Sequence, residues 1–155
     1  MDHAHLVRTV IYTDGSCRGN PGPGGWAWAV GEHLYASGAD SPTTNQRMEL
    51  TAALEAVRAF PEGPLEIVSD STYVVKCFND KWHAGWRRRG WKNSQGQAVA
   101  NRDLWEAIFA VTIDCGRDVT FRWVKGHSGE PMNEFVDTLA TLAADEGRGR
   151  STPTQ

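Results

Sequence analysis

An α/β fold is predicted for this 155-residue chain from three observations. Two apolar, β-like runs, residues 6–14 and 65–70, each end in an aspartate, Asp14 and Asp70. Between them the pattern changes to apolar residues at helical spacing. Strand and helix patterns then alternate to the end of the chain. In α/β sheets functional groups collect just outside the carboxyl ends of strands, so the two aspartates are expected to converge.

The first run is followed by Gly15-Ser16-Cys17-Arg18-Gly19-Asn20-Pro21-Gly22-Pro23-Gly24-Gly25, dense in turn formers. The stretch lacks the Gly-Lys-Ser/Thr ending of a phosphate-binding loop, and its prolines favour a turn over a nucleotide cradle. Residues 26–30, aromatic and small, read as a second strand, and residues 33–37 as a third after a short turn, an antiparallel meander. Thr43-Thr44-Asn45 offers capping residues for a helix that Pro61 and Gly63 stop near Phe60. Its apolar stripe is Leu50, Ala53, Leu54 and Val57. Glu49 lies beside that stripe and Glu55 nearly opposite, so Glu49 is the glutamate placed to reach inward. The wheel alone leaves Glu49 equally readable as a boundary residue turned to solvent.

After the strand ending at Asp70, a short helix is expected from Ser71 to about Phe78, and another over residues 101–113. Residues 119–124 read as the last strand, closing at Lys125-Gly126-His127-Ser128-Gly129. A final helix from Pro131 to Asp145 packs through Phe135, Val136, Leu139, Ala140 and Ala143, with Asn133 and Asp137 on its opposite polar flank. The Gly-, Arg-, Ser- and Thr-rich tail, residues 147–155, is expected to be disordered.

Composition narrows the class. Apolar content of 40% with 23% charged residues is that of a soluble globular domain, and 155 residues suit one domain. No run of about 18 apolar residues is present, so no membrane span is expected. No signal-peptide pattern opens the chain. Cys17, Cys77 and Cys115 are odd in number and widely spaced, which suits free thiols in a reducing cytoplasm. A monomer is the default expectation. The net charge of −3 conceals an asymmetry: residues 81–92 carry five basic residues and no acid, +5, leaving −8 for the rest. Within that segment Trp82 and Trp86 stand at i and i+4 beside Arg87, Arg88, Arg89 and Lys92. Such a cluster suits phosphates and stacked bases, the alternative being core tryptophans under a solvated basic face. A set of converging carboxylates is costly without a hard divalent cation, so a metal-dependent enzyme is the leading reading of the acids.

The assembled motifs resemble type 1 ribonuclease H. The matching stretches are Thr13-Asp14-Gly15-Ser16-Cys17, residues 19–25, residues 43–50, Asp70-Ser71-Thr72-Tyr73-Val74, residues 86–91, Asp103-Leu104-Trp105, residues 123–129, and Asn133 through Asp137. They follow family order over nearly all of residues 6–145. The resemblance implies a ribonuclease H-like fold in a single catalytic domain over residues 1–146: a five-stranded mixed sheet, three strands antiparallel and then parallel strands, flanked by helices. It implies endonucleolytic hydrolysis of the RNA strand of RNA/DNA hybrids by a two-metal-ion mechanism, leaving 5′-phosphate and 3′-hydroxyl ends. Asp14, Glu49, Asp70 and Asp137 would hold two Mg²⁺ ions, with Mn²⁺ possible, and His127 would shuttle a proton or aid product release. The hybrid is the implied partner: Asn20, Asn45 and Gln46 on the RNA side, Thr44 and Asn101 at a DNA phosphate, and Trp82, Trp86, Arg87, Arg88 and Arg89 in a substrate-binding protrusion. Gln46, Thr72 and Pro42 depart from common family residues, which bears on affinity and site preference more than on the reaction. The competing readings are a DNA-cutting or strand-transfer nuclease of the same fold and a non-catalytic hybrid-binding module.

Overall fold

The computed structural model describes residues 7–153. Five strands, β1 (Thr9–Cys17), β2 (Gly22–Gly31), β3 (Leu34–Thr43), β4 (Leu65–Ser69) and β5 (Val119–Trp123), form one sheet in the order β3-β2-β1-β4-β5. Pairing is antiparallel across β3-β2-β1 and parallel across β1-β4-β5, the mixed sheet that was expected.

Strand alternation divides the core between the two faces. In β2, Trp28 enters the larger apolar cluster with Ile11, Leu50, Val57, Ile67 and Phe109, while its neighbours Ala27 and Ala29 enter a smaller one with Val136, Leu139 and Ala140. The larger cluster is roofed by α1 (Asn45–Ala59) and α4 (Arg102–Val111), the smaller by α5 (Pro131–Glu146). The short helices α2 (Thr72–Asn79) and α3 (Trp82–Arg88) link β4 to α4. Helix α1 starts where the capping residues indicated: the Thr44 hydroxyl accepts the Arg47 N–H at 3.2 Å. Leu50, Ala53, Leu54 and Val57 are all buried, as the stripe required.

Several boundaries differ from the sequence reading. Strand β1 does not end at Asp14 but continues through Gly15-Ser16-Cys17, because these residues pair with Trp26, Gly25 and Gly24 of β2. Turn-forming composition does not break a strand whose backbone has a partner to pair with. Leu6, expected to open this strand, lies outside the described residues. Strand β3 runs six residues past Ser37, carrying Asp40 and Pro42 along a sheet edge, where a proline's missing donor costs least.

The tail, expected to be disordered, is bound to that edge as far as Thr152. Ser37 N–H donates to the Arg150 carbonyl at 2.7 Å and Thr152 N–H to the Tyr35 carbonyl at 3.0 Å. Tyr35 N–H reaches the Thr152 hydroxyl at 3.0 Å. These bonds rest mainly on the main chain, so composition could not announce them, and they close an edge that would otherwise offer unpaired groups. Truncation after Gly147 is expected to lower the melting temperature by a few degrees, from a loss of about 1–2 kcal/mol. An unchanged melting curve would show that the strap contributes nothing to stability.

Candidate active site

Strands β1 and β4 are parallel neighbours with Tyr12 opposite Val68. Asp14 and Asp70, each two residues further on, therefore arrive side by side. Alternation along β1 turns Ile11 and Gly15 towards α1, and Tyr12, Asp14 and Ser16 towards α5. Glu49 descends from the second turn of α1. One carboxylate oxygen from each of Asp14, Glu49 and Asp70 lies within 4.8 Å of the others. Asp137 approaches from α5 on the other side and shares a hydrogen bond with Asp14. All four acids proposed from the sequence thus meet at one end of the sheet.

Electrostatics at this cluster are unfavourable without a cation. Burial, then the charge of Asp70, then the hydrogen bond with Asp137 push the Asp14 carboxyl up to about 10. Burial also raises Glu49 and Asp70, partly offset by hydrogen bonds from Ser71 and Asn45 to Glu49 and from Asn133 to Asp70. Without a cation, Asp14 is therefore the acid of the cluster that most favours holding a proton. Clustered hard oxygen donors that resist ionising together are the donor set a divalent cation such as Mg²⁺ or Mn²⁺ prefers.

Three supporting residues were not picked out from the sequence as site residues. Ser71 caps α2 and turns its hydroxyl to Glu49. Its position next to Asp70 was the available signal. Asn133, assigned to a polar outer flank of α5, is instead 3% exposed and reaches Asp70. On the helix wheel it falls inside the arc formed by Val136, Leu139, Ala140, Ala143 and Ala144, with half-buried Asp137 at the rim. Gly126 lies against the Asp70 carboxylate: an added Cβ would stand 2.9 Å from its Oδ2. The loop carrying His127 is thereby seated over the acids. His127 itself is exposed, has φ of 55°, and its charge is felt by Asp70.

A polar strip adjoins the acids. The Asn20 side chain accepts the Asn45 N–H at 3.1 Å, and Asn45 Nδ2 donates to Glu49 Oε1 at 3.2 Å. Gln46 is exposed beside them. Asn101, at the start of α4, bonds to Arg47 and to Tyr73.

The basic segment divides in two. Trp86 is 8% exposed and packs against Trp82, Trp91, Trp105 and Phe109, so most of the ring anchors the segment to the core while its remaining edge lines an open concavity. Arg87 is exposed but already engaged: it forms a two-pronged ion pair with Asp114 at 2.7 and 2.9 Å and stacks over Phe109. The packing of Trp86 and the pairing of Arg87 with Asp114 were not legible in the sequence, which does not say which side of α3 meets the body of the protein. Trp82, Trp86, Arg88 and Arg89 line an open concavity of about 590 Å³ with Lys81 and Asn93.

The RNase H family model matches residues 7–145. Ribonuclease H of Thermus thermophilus is 46% identical over 148 residues, which covers 93% of this chain and 88% of that protein. Among solved structures, LC9-RNase H1, a type 1 RNase H with the type 2 active-site motif, superposes with a TM-score of 0.72 at 30% identity, covering 91% of this chain and 74% of that one. LC11-RNase H1 in complex with an RNA/DNA hybrid shares the fold, with a TM-score of 0.68 at 20% identity over 89% of this chain and 97% of its own.

Proposed function

The chain belongs to the ribonuclease H family, endonucleases that cut the RNA strand of RNA/DNA hybrids, and from that premise we propose that Asp14, Glu49, Asp70 and Asp137 hold two Mg²⁺ ions at the scissile phosphate. The observation that carries the proposal is the convergence of three carboxylate oxygens within 4.8 Å, with Asp137 hydrogen-bonded to one of the three acids. Held there, two such ions would supply water activation and charge stabilisation for the departing 3′ oxygen, chemistry that would leave 5′-phosphate and 3′-hydroxyl ends.

The protein's own groups do the positioning. Asn45 and Ser71 offset part of the rise that burial imposes on Glu49 and so favour its ionised form, and Asn133 does the same for Asp70. Asn20, Asn45 and Gln46 present the donors and acceptors that distinguish a ribose 2′-hydroxyl from deoxyribose across a shallow minor groove. Because Asn45 also donates to Glu49, the group that reads the sugar is bonded to one that holds the metal. Thr44 and Asn101, at the N-termini of α1 and α4, face the opposite strand's phosphate. His127, on its glycine-flanked loop over Asp70, carries a proton between the site and bulk water. Trp82, Arg88 and Arg89 bind the hybrid backbone at a distance from the cut.

Labelled RNA/DNA, RNA/RNA and DNA/DNA duplexes incubated with Mg²⁺ or EDTA separate the readings: metal-dependent cutting of the RNA strand of the hybrid alone is expected. Cleavage of duplex DNA would favour a DNA-directed nuclease of the same fold, and binding without cleavage a passive module. For the basic segment, the double variant Arg88→Ala/Arg89→Ala is expected to flatten the salt dependence of hybrid binding, by roughly 0.7–0.9 in slope for each phosphate that is no longer neutralised. Arg87→Ala, whose charge is already paired with Asp114, is expected to change the slope less. Equal slopes in the wild type and the double variant would remove this surface from the binding site.

A further inference from the structure

We propose that Arg47 is a positioning residue for substrate binding: its guanidinium, fixed by Asp103, holds the Asn101 side chain in the one orientation that faces the hybrid. Arg47 stands two residues before Glu49 but turns away from the acids. Its Nη1 and Nη2 donate to the two Asp103 carboxylate oxygens at 2.9 and 2.8 Å. Nη1 donates further to Asn101 Oδ1 at 3.3 Å. On its other side Asn101 Nδ2 donates to the Tyr73 hydroxyl at 3.2 Å, and that hydroxyl also accepts from Trp105 Nε1 at 2.8 Å.

The pattern of donors and acceptors settles the amide. Arg47 offers only donors, so it requires the oxygen of Asn101 on its side, and the nitrogen is left to the tyrosine oxygen. Asn101 needs such external support. It precedes α4 with φ of 60°, a left-handed conformation, and its side chain makes no capping hydrogen bond to the helix. Without Arg47 only the bond to the Tyr73 hydroxyl remains, and a hydroxyl, being both donor and acceptor, accepts either orientation of the amide. The network also spans three elements: Arg47 belongs to α1, Tyr73 to α2, and Asn101, Asp103 and Trp105 lie at the start of α4 or just before it. Helix α1 carries Glu49, and α2 follows directly on Asp70. Two helices flanking the metal-binding acids are thus tied to the residue that meets the opposite strand.

A stabilising role alone explains this poorly. Asp103 is 67% exposed, and ion pairs this open contribute about 0–1 kcal/mol. Direct phosphate binding by Arg47 explains it no better, because its fork is already occupied by Asp103.

The inference rests on hybrid cleavage as the reaction, and wild-type turnover in the same assay checks that premise separately. Steady-state kinetics on one hybrid are compared for the wild type, Arg47→Ala, Asp103→Ala, Asn101→Ala and the double variant Arg47→Ala/Asn101→Ala, with melting curves confirming folded protein. Arg47→Ala is expected to raise KM about fivefold to tenfold, the worth of one hydrogen bond to the substrate, with kcat within about twofold of wild type. Asp103→Ala is expected to raise KM in the same direction. The double variant is expected to match Asn101→Ala, because the arginine acts only through the asparagine. Arg47→Lys keeps the charge without the fork and is expected not to restore KM. Additive effects in the double variant, or a lower KM and steeper salt dependence when Asp103→Ala frees the arginine, would overturn the proposal in favour of direct phosphate contact. Wild-type KM in Arg47→Ala would overturn it outright.

Discussion

Asp14→Asn is expected to melt at a higher temperature than the wild-type protein when no divalent ion is present, and to have lost its activity. Asp14 is 4% exposed, and burial with the charges of Asp70, Asp137 and Glu49 lifts its carboxyl to about 10. A carboxyl raised in the folded state binds a proton there that the unfolded chain releases near pH 4. The stability this proton carries is complete below about pH 4 and declines steadily as pH rises through about 10. Asparagine fills the same space, donates the same hydrogen bond and never ionises. The wild-type melting temperature without metal is therefore expected to fall between pH 5 and pH 9, and the variant's to fall less. At pH 7.5 the variant gains roughly 5 °C. Mg²⁺ is expected to reverse the order, stabilising the wild type through binding to the folded state alone. Hybrid cleavage by the variant is expected to drop about 10³-fold or more, as for loss of a principal electrostatic group. A pH-independent difference between the two proteins would mean that Asp14 is not held protonated by its neighbours.

Gly15→Ala is expected to cost both stability and activity, though Gly15 is no ligand. Its added Cβ would stand 2.3 Å from the Glu49 backbone nitrogen and 2.4 Å from the Met48 carbonyl carbon. Both are backbone atoms of α1, so no rotamer change relieves the contact, and the helix must move away from β1. Overpacking of this kind costs about 1–3 kcal/mol. The displacement carries Glu49 away from Asp14 and Asp70, and a misplacement of about 1 Å in a catalytic group costs on the order of 10²-fold in rate. Gly31→Ala provides the control, since an added Cβ there meets nothing within 4 Å. Normal turnover by Gly15→Ala would show that the close approach of α1 to β1 does not set the position of Glu49.

These two residues also mark what was legible in the sequence. Asp14 and Asp70 followed from strand patterns and the tendency of strand ends to carry function, although Asp14 proved to lie within β1 rather than at its end. Glu49 was half legible: the wheel placed it beside the apolar stripe, and only the packed structure decides that it turns inward. Asp137 was not accessible from periodicity, and its neighbour Asn133 was assigned to the wrong face. The reason is physical. Helix α5 lies close over β1 and β2 on alanines, so its inward arc is wider than its large apolar residues indicate. Trp86 shows the same limit, because a tryptophan in a basic segment suits a core, a ligand surface or a place between the two until the segment is docked. The tail was misjudged because pairing along a sheet edge depends on backbone groups that every residue carries.

The most direct test of the central claim, that these four acids cut RNA in a hybrid through bound divalent ions, is Mg²⁺ titration of cleavage with a 5′-labelled RNA strand annealed to DNA, followed by analysis of the fragment ends. Fragments with 3′-hydroxyl ends are expected to appear only with Mg²⁺ or Mn²⁺, and to be lost in EDTA and in Asp14→Asn. Cleavage that persists in EDTA, or in the variant at wild-type rate, would contradict it.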